Sequence, residues 1–156
     1  MDDRLVAIFD ATIRMERKCA EFYRLLDRLF PVDGPFWLKL MNEEEHHAIL
    51  FQAGMERFFD EDLFPLEAMD PDLTSIQKLN SEVESAIRQY THQLSDYQLV
   101  RHRALQLESS SGEFYFELAL ASKEDSPALW LFRDLCDDEH DHRQRILDFF
   151  NETRHS

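Results

Sequence analysis

The chain has 156 residues, 44% of them hydrophobic, with only 3 glycines and 5 prolines. That is enough for one packed core, too apolar for a disordered segment and too poor in turn residues for a strand-rich fold. A formal net charge of −15 sets the surface against nucleic acid and anionic membranes and mildly concentrates cations. No apolar run approaches the ~18 residues needed to cross a bilayer, and the acidic start MDDRLVAIFD is unlike a secretory or transit leader. Cys19 and Cys136 stand far apart, with no Cys-x-x-C spacing for a thiolate metal site. The expectation is one cytoplasmic domain over residues 1–156, with reduced, buried thiols and with no nucleic-acid or membrane partner.

Apolar residues recur every three to four positions through most of the chain, which is the period of a helix buried on one face. A first helix is expected from about Asp3 to Phe30, with Leu5, Phe9, Ile13, Tyr23, Leu26 and Phe30 on one stripe. Pro31 and the VDGP turn end it. A second opens near Pro35, a residue suited to the first helical turn, and carries Trp37, Leu40, Phe51 and Phe58 to about Asp60. The stretch EDLFPLEAMDPDL, broken by Pro65 and Pro71, reads as an irregular connector. A shorter amphipathic helix follows from about Thr74 to Tyr90. Ser95 with Gln98 resembles a capping box that opens a long helix to about Ser122. Ser126 and Pro127 start a last helix, which runs to about Phe150. Two helical hairpins joined by a crossover of about 35 residues predict an all-α four-helix bundle whose long crossover carries a short extra helix.

The sequence repeats itself internally. MERKCAEFYRLL in the first helix parallels LESSSGEFYFEL in the third long helix, placing Glu16 opposite Glu108 and Tyr23 opposite Tyr115. WLKLMNEEEHHAIL parallels FRDLCDDEHDHRQRIL, placing Glu44 on Glu139 and His47 on His142. The second helix offers two overlapping Glu-x-x-His pairs, Glu43 with His46 and Glu44 with His47. Only the second pair finds a histidine in the repeat, because Glu43 meets Asp138 and His46 meets Asp141. Glu43 and His46 are therefore expected to be peripheral.

Helix geometry makes the same choice, since residues three, four and seven apart share a face. Glu44 and His47 lie on the stripe of Trp37, Leu40 and Phe51, and Glu139 and His142 on that of Phe132, Leu135, Ile146 and Phe149. Four glutamates and two histidines thus occupy core-facing positions. One unpaired buried carboxylate is prohibitive on its own, of order tens of kcal/mol in the idealised limit. Two divalent cations would balance four carboxylates, and each imidazole can offer a neutral nitrogen. Oxygen and imidazole donors suit iron, with manganese or zinc as substitutes.

The constellation resembles the ferritin-like superfamily of carboxylate-bridged di-iron proteins, in which a Glu from each of two helices joins a Glu-x-x-His from each of the other two. The EFY turns and the long crossover resemble the rubrerythrin branch most closely, over about residues 3 to 150. The resemblance implies that Glu44 and Glu139 bridge two iron ions. Glu16 with His47, and Glu108 with His142, would be the terminal ligands, and Tyr23 and Tyr115 would hydrogen-bond ligand carboxylates across the bundle. There are departures. No cysteine pairs exist to build a rubredoxin domain, and Ser111 stands where rubrerythrins carry an extra glutamate. The six-ligand set is similar to the ferroxidase site of bacterioferritin, but Glu45 occupies the position of its haem methionine, so no haem is implied.

The function so implied is a di-iron oxidoreductase that reacts with peroxide or dioxygen. It would take electrons from an external donor and assemble as a homodimer or larger homo-oligomer. Two other readings stay open: ferroxidase-type iron handling or storage, and a non-catalytic module whose metals only hold the bundle together.

Overall fold

A computed structural model of the chain describes residues 3–60, 73–92, 96–121 and 127–152; within the helices, the side chains of residues 3–5, 58–60, 112–121, 127–129 and 131–132 are not described. Five helices account for nearly all of the described residues, and there is no strand among them: α1 (Asp3–Leu29), α2 (Gly34–Asp60), α3 (Leu73–His92), α4 (Tyr97–Ala121) and α5 (Pro127–Glu152). The helix order matches the sequence expectation to within a few residues at each end.

The α1–α2 turn is built as its residues dictate. The Phe30 N–H still reaches back to the Leu26 carbonyl at 2.8 Å, and Asp33 and Gly34 donate to Phe30 and Pro31. The Asp33 carbonyl then accepts from Phe36 at 3.0 Å and Trp37 at 3.3 Å, starting α2. A Cβ on Gly34 would fall 2.5 Å from Asp27 Oδ1, so a larger residue there would need the Asp27 carboxylate to swing aside. The Asp33 carboxylate also accepts a hydrogen bond from the Tyr97 hydroxyl, tying this turn to the first residue of α4.

Helix α4 is capped by Asp96, whose Oδ1 accepts the Gln98 N–H at 2.8 Å while its carbonyl accepts from Leu99 and Val100. This is the side-chain-to-backbone bond an N-cap provides. The box expected from Ser95 with Gln98 falls on a residue outside the described ones, as does the Ser126 start expected for the last helix.

Helices α1 and α2 pack along each other, as do α4 and α5; the crossover helix α3 lies on α1 and touches α4, and α2 meets α5. Asn80 pins α3 by donating from Nδ2 to the Ala11 carbonyl of α1 at 2.8 Å. The expected stripes face inward: Phe9, Ile13, Tyr23 and Leu26 on α1; Trp37, Leu40 and Phe51 on α2; Ile76, Leu79, Val83 and Tyr90 on α3; Leu135 and Ile146 on α5. Burying each large side chain contributes roughly 1.5–3 kcal/mol. At the end of the bundle near the α1–α2 turn, Trp37 stacks on Tyr23 (ring centroids 5.9 Å apart, 10° between planes) and packs against Phe36, Phe149 and Phe150. No helix among the described residues is long and apolar enough to cross a membrane. Alongside this apolar packing, the core holds a set of ionisable side chains.

Candidate metal centre

Glu16 from α1, Glu44 and His47 from α2, Glu108 from α4, and Glu139 and His142 from α5 are each at most 3% exposed. Their donor atoms fall into two groups, Glu16, Glu44, His47 and Glu139 on one side and Glu44, Glu108, Glu139 and His142 on the other, with the atoms of each group within 4.8 Å of one another. Glu44 and Glu139 belong to both. These six residues are the ones the internal repeat singles out, and the two shared residues are those the resemblance assigns as bridges.

The donor atoms lie close enough to one another to share an ion. His47 Nδ1 lies 3.4 Å from Glu44, 3.6 Å from Glu139 and 3.7 Å from Glu16. His142 Nδ1 lies 2.9 Å from Glu44 and 3.3 Å from Glu108. Donors bound to a common ion at about 2.1 Å sit about 3.0 Å apart at right angles and about 3.4 Å apart in a tetrahedron. Apart from these contacts with one another, both Glu16 oxygens, Glu44 Oε1, Glu108 Oε2, Glu139 Oε1 and both Nδ1 atoms are buried without a hydrogen-bond partner. Native cores rarely orphan even one such atom. Two divalent cations would satisfy the whole set, so the residues present fit a two-ion site.

The outer nitrogens of the two imidazoles are held reciprocally. His47 Nε2 lies 3.4 Å from Asp138 of α5, and His142 Nε2 lies 3.3 Å from Glu43 of α2. Each helix thus supplies the carboxylate that faces the other helix's histidine. Such partners fix the ring and its tautomer so that the inner nitrogen is free to bind. Glu43 stands outside both donor groups, as expected, but it reaches one of their histidines. Arg145 grips it through both terminal nitrogens, at 2.6 and 3.3 Å, and so aims it at His142. The repeat carried the signal, since Glu43 and Asp138 were aligned with each other, one residue before each shared glutamate. His46, in contrast, is exposed, as are His92, His102 and His140; His155 lies outside the described residues.

Two hydroxyls fix the carboxylates. Tyr23 donates to Glu108 Oε1 from across the bundle, the contact the resemblance implied. Tyr115, its counterpart in the repeat, has no described side chain. Ser111 Oγ lies 2.6 Å from Glu139 Oε2 and 2.9 Å from its own helix's Leu107 carbonyl, so it props a carboxylate that both donor groups share.

The electrostatics of the metal-free cluster follow from burial and crowding. Burial, against the pull of His47 and with the push of Glu44 and Glu139, raises the Glu16 carboxyl well above its ordinary value. Burial and the Glu139 charge push Glu108 up to about 8. Burial would raise Glu44 as well, but His142 and His47 outweigh it and hold that carboxyl well below the usual range. Burial disfavours charge on the imidazoles, yet the surrounding carboxylates raise His47 strongly and push His142 up to about 11. Protons thus do in the metal-free protein what cations would do in the loaded one. Cys19 is buried beside the cluster, and burial reinforced by the glutamates raises its thiol well above normal; this is the setting of an unreactive core thiol. Cys136 is only partly buried.

Fold and site together define an all-helical protein with a buried carboxylate–histidine cluster that could hold metal ions. No family model matches the chain, and no curated protein or solved structure matches it significantly.

Proposed function

We propose that the chain is a ferritin-like di-iron oxidoreductase that binds two ferrous ions and reacts with peroxide or dioxygen. The observation that carries this reading is the pair of overlapping donor groups, each with one histidine and one private glutamate, sharing Glu44 and Glu139. The helix order, two hairpins with a crossover helix between them, supports the ferritin-like assignment.

Glu16 and His47 would hold one ion, Glu108 and His142 the other, and Glu44 and Glu139 both. When bound, the metals supply reducing electrons and a Lewis-acid clamp for an O–O bond. The protein's own part is positional. Tyr23 holds Glu108, Ser111 holds Glu139, and Glu43 and Asp138 keep the imidazole rings aimed inward. Trp37 and the rings around it pack on Tyr23, whose hydroxyl bonds Glu108. Electrons for repeated turnover would come from an external donor. Iron oxidation for storage is the second reading, favoured by the six-residue donor set with Ser111 in place of a further carboxylate.

The test is anaerobic loading with ferrous iron followed by mixing with peroxide or with dioxygen, read by absorbance alongside native mass. A dimer or small oligomer oxidised faster by peroxide supports the oxidoreductase. A closed cage that turns over iron with dioxygen supports storage. A chain that binds iron but is oxidised by neither is a structural metal module, and overturns the proposal.

A further inference from the structure

On the outer side of α1, at its seams with α2 and α3, lies a cleft of about 530 Å³ lined by Arg17, Glu21, Arg24, Leu25, Arg28, Glu45, Ile87 and Thr91, within the range of small-molecule sites. Arg17, Arg24 and Arg28 follow one another at seven and four residues, which puts them on one helical face about 10 and about 6 Å apart along the axis. Three arginines outnumber two glutamates here, on a chain whose net charge is −15. The glutamates do not neutralise the group. Arg24 is pinned by Glu45 and by Met41 Sδ at 3.4 Å, but Arg17 is held by a neutral group, the Gln52 amide oxygen at 3.2 Å. Arg28 is exposed and has no ion pair among the described residues.

We propose that this cleft binds a small phosphate-bearing ligand. Guanidinium forks match phosphate oxygens two at a time, which a scatter of lysines would not do. Arg24 and Arg28, one turn apart, would take a pair of linked phosphates, Arg24 exchanging Glu45 for the ligand, and Leu25 and Ile87 give an apolar wall for the rest of the molecule. The cleft also backs onto the buried centre: Arg17, Arg24 and Glu45 each directly follow Glu16, Tyr23 and Glu44 in the chain. A bound ligand would lie about one helix diameter, ~10 Å, from the cluster. The inference does not depend on the metal reading.

The test is calorimetric titration of the full-length, metal-free chain with inorganic pyrophosphate and with ADP, repeated in Glu44→Ala to remove any binding at the buried cluster. Saturable binding of one ligand per chain is expected with both probes. ADP binding more tightly identifies an organic phosphate as the occupant, and equal affinity identifies the free inorganic anion. Arg17→Gln and Arg28→Gln should each weaken binding about tenfold, the loss expected for a charged hydrogen bond, and Arg28→Lys should recover only part of it. Arg133→Gln, an exposed arginine of α5, should change nothing. Helical circular dichroism equal to that of the parent shows that the variants fold. No saturable binding to either probe, or affinity unchanged in the Arg17→Gln/Arg28→Gln double variant, overturns the proposal.

Discussion

Glu43 of α2 faces the outer nitrogen of His142 on α5 at 3.3 Å, while Arg145 holds the same carboxylate from one side. With Asp138 facing His47 at 3.4 Å, the two halves of the bundle cross-brace each other's metal-binding side chains. Removing such a partner lets the ring turn and lowers its basicity, which typically costs 10–100-fold in metal affinity. Glu43→Ala and Asp138→Ala should each weaken binding by about that factor, whereas His46→Ala, two residues beyond Glu44 but exposed, should leave it unchanged. Competition against a chromophoric chelator measures all three.

Tyr23→Phe keeps the ring stacked on Trp37 and removes only the hydroxyl that serves Glu108. A buried carboxylate then loses its donor, so the metal-free protein should lose about 1–3 kcal/mol in urea unfolding. A bound metal at Glu108 supplies a replacement partner, and the loss should be smaller in the loaded protein. Equal losses in both forms would mean that Glu108 does not face a metal.

Stability of the metal-free protein should rise as pH falls from about 9 to about 5. A carboxyl whose folded pKa is raised, as for Glu16 and for Glu108 at about 8, takes up its proton more readily when folded. Its contribution therefore grows as pH falls through the folded value toward about 4.5. An imidazole raised to about 11, as for His142, contributes fully below about 6.5 and loses that contribution as pH rises through its folded value. Glu44 runs the other way, because its depressed pKa gives stability that is lost only as pH falls below about 4.5. Thermal melts across this range should peak near pH 5. The acidic surface adds a similar trend, so the control is Glu16→Gln/Glu108→Gln. That variant should lose the carboxyl part of the trend and keep the imidazole part above about 6.5, and an undiminished pH dependence would show that Glu16 and Glu108 do not contribute.

Metal loading should expel protons. Burial and crowding in the metal-free cluster raise the proton affinity of His47, His142, Glu16 and Glu108 above their ordinary values. All four positions must be free to bind, so filling the site should release protons, more of them at neutral pH than unperturbed ligands would. Titration in two buffers of different ionisation enthalpy counts them. Release near zero would show that the ions bind elsewhere.

The helices, their order and all six clustered residues were legible in the sequence because a single constraint repeats. A charged residue on an apolar stripe is costly, and finding it twice in register leaves few explanations. The register also separated Glu44 from Glu43. What it missed were partners whose role depends on reach between helices. Glu43 sits just off the buried stripe, and only the α2–α5 packing shows that it meets His142. The Asp96 cap was missed because Ser95–Gln98 offered an equally good local pattern one residue earlier. The Tyr97–Asp33 and Ser111–Glu139 bonds join residues far apart in the chain, and no local period announces them.

The most direct measurement is the stoichiometry of tight ferrous binding under anaerobic conditions, in the parent and in Glu44→Ala and Glu139→Ala. Because Glu44 and Glu139 belong to both donor groups, the parent should bind about two ions per chain, and either substitution should weaken both ions together rather than one. A single tight ion in the parent, or two that survive the loss of Glu44 and of Glu139, would contradict a shared two-metal centre.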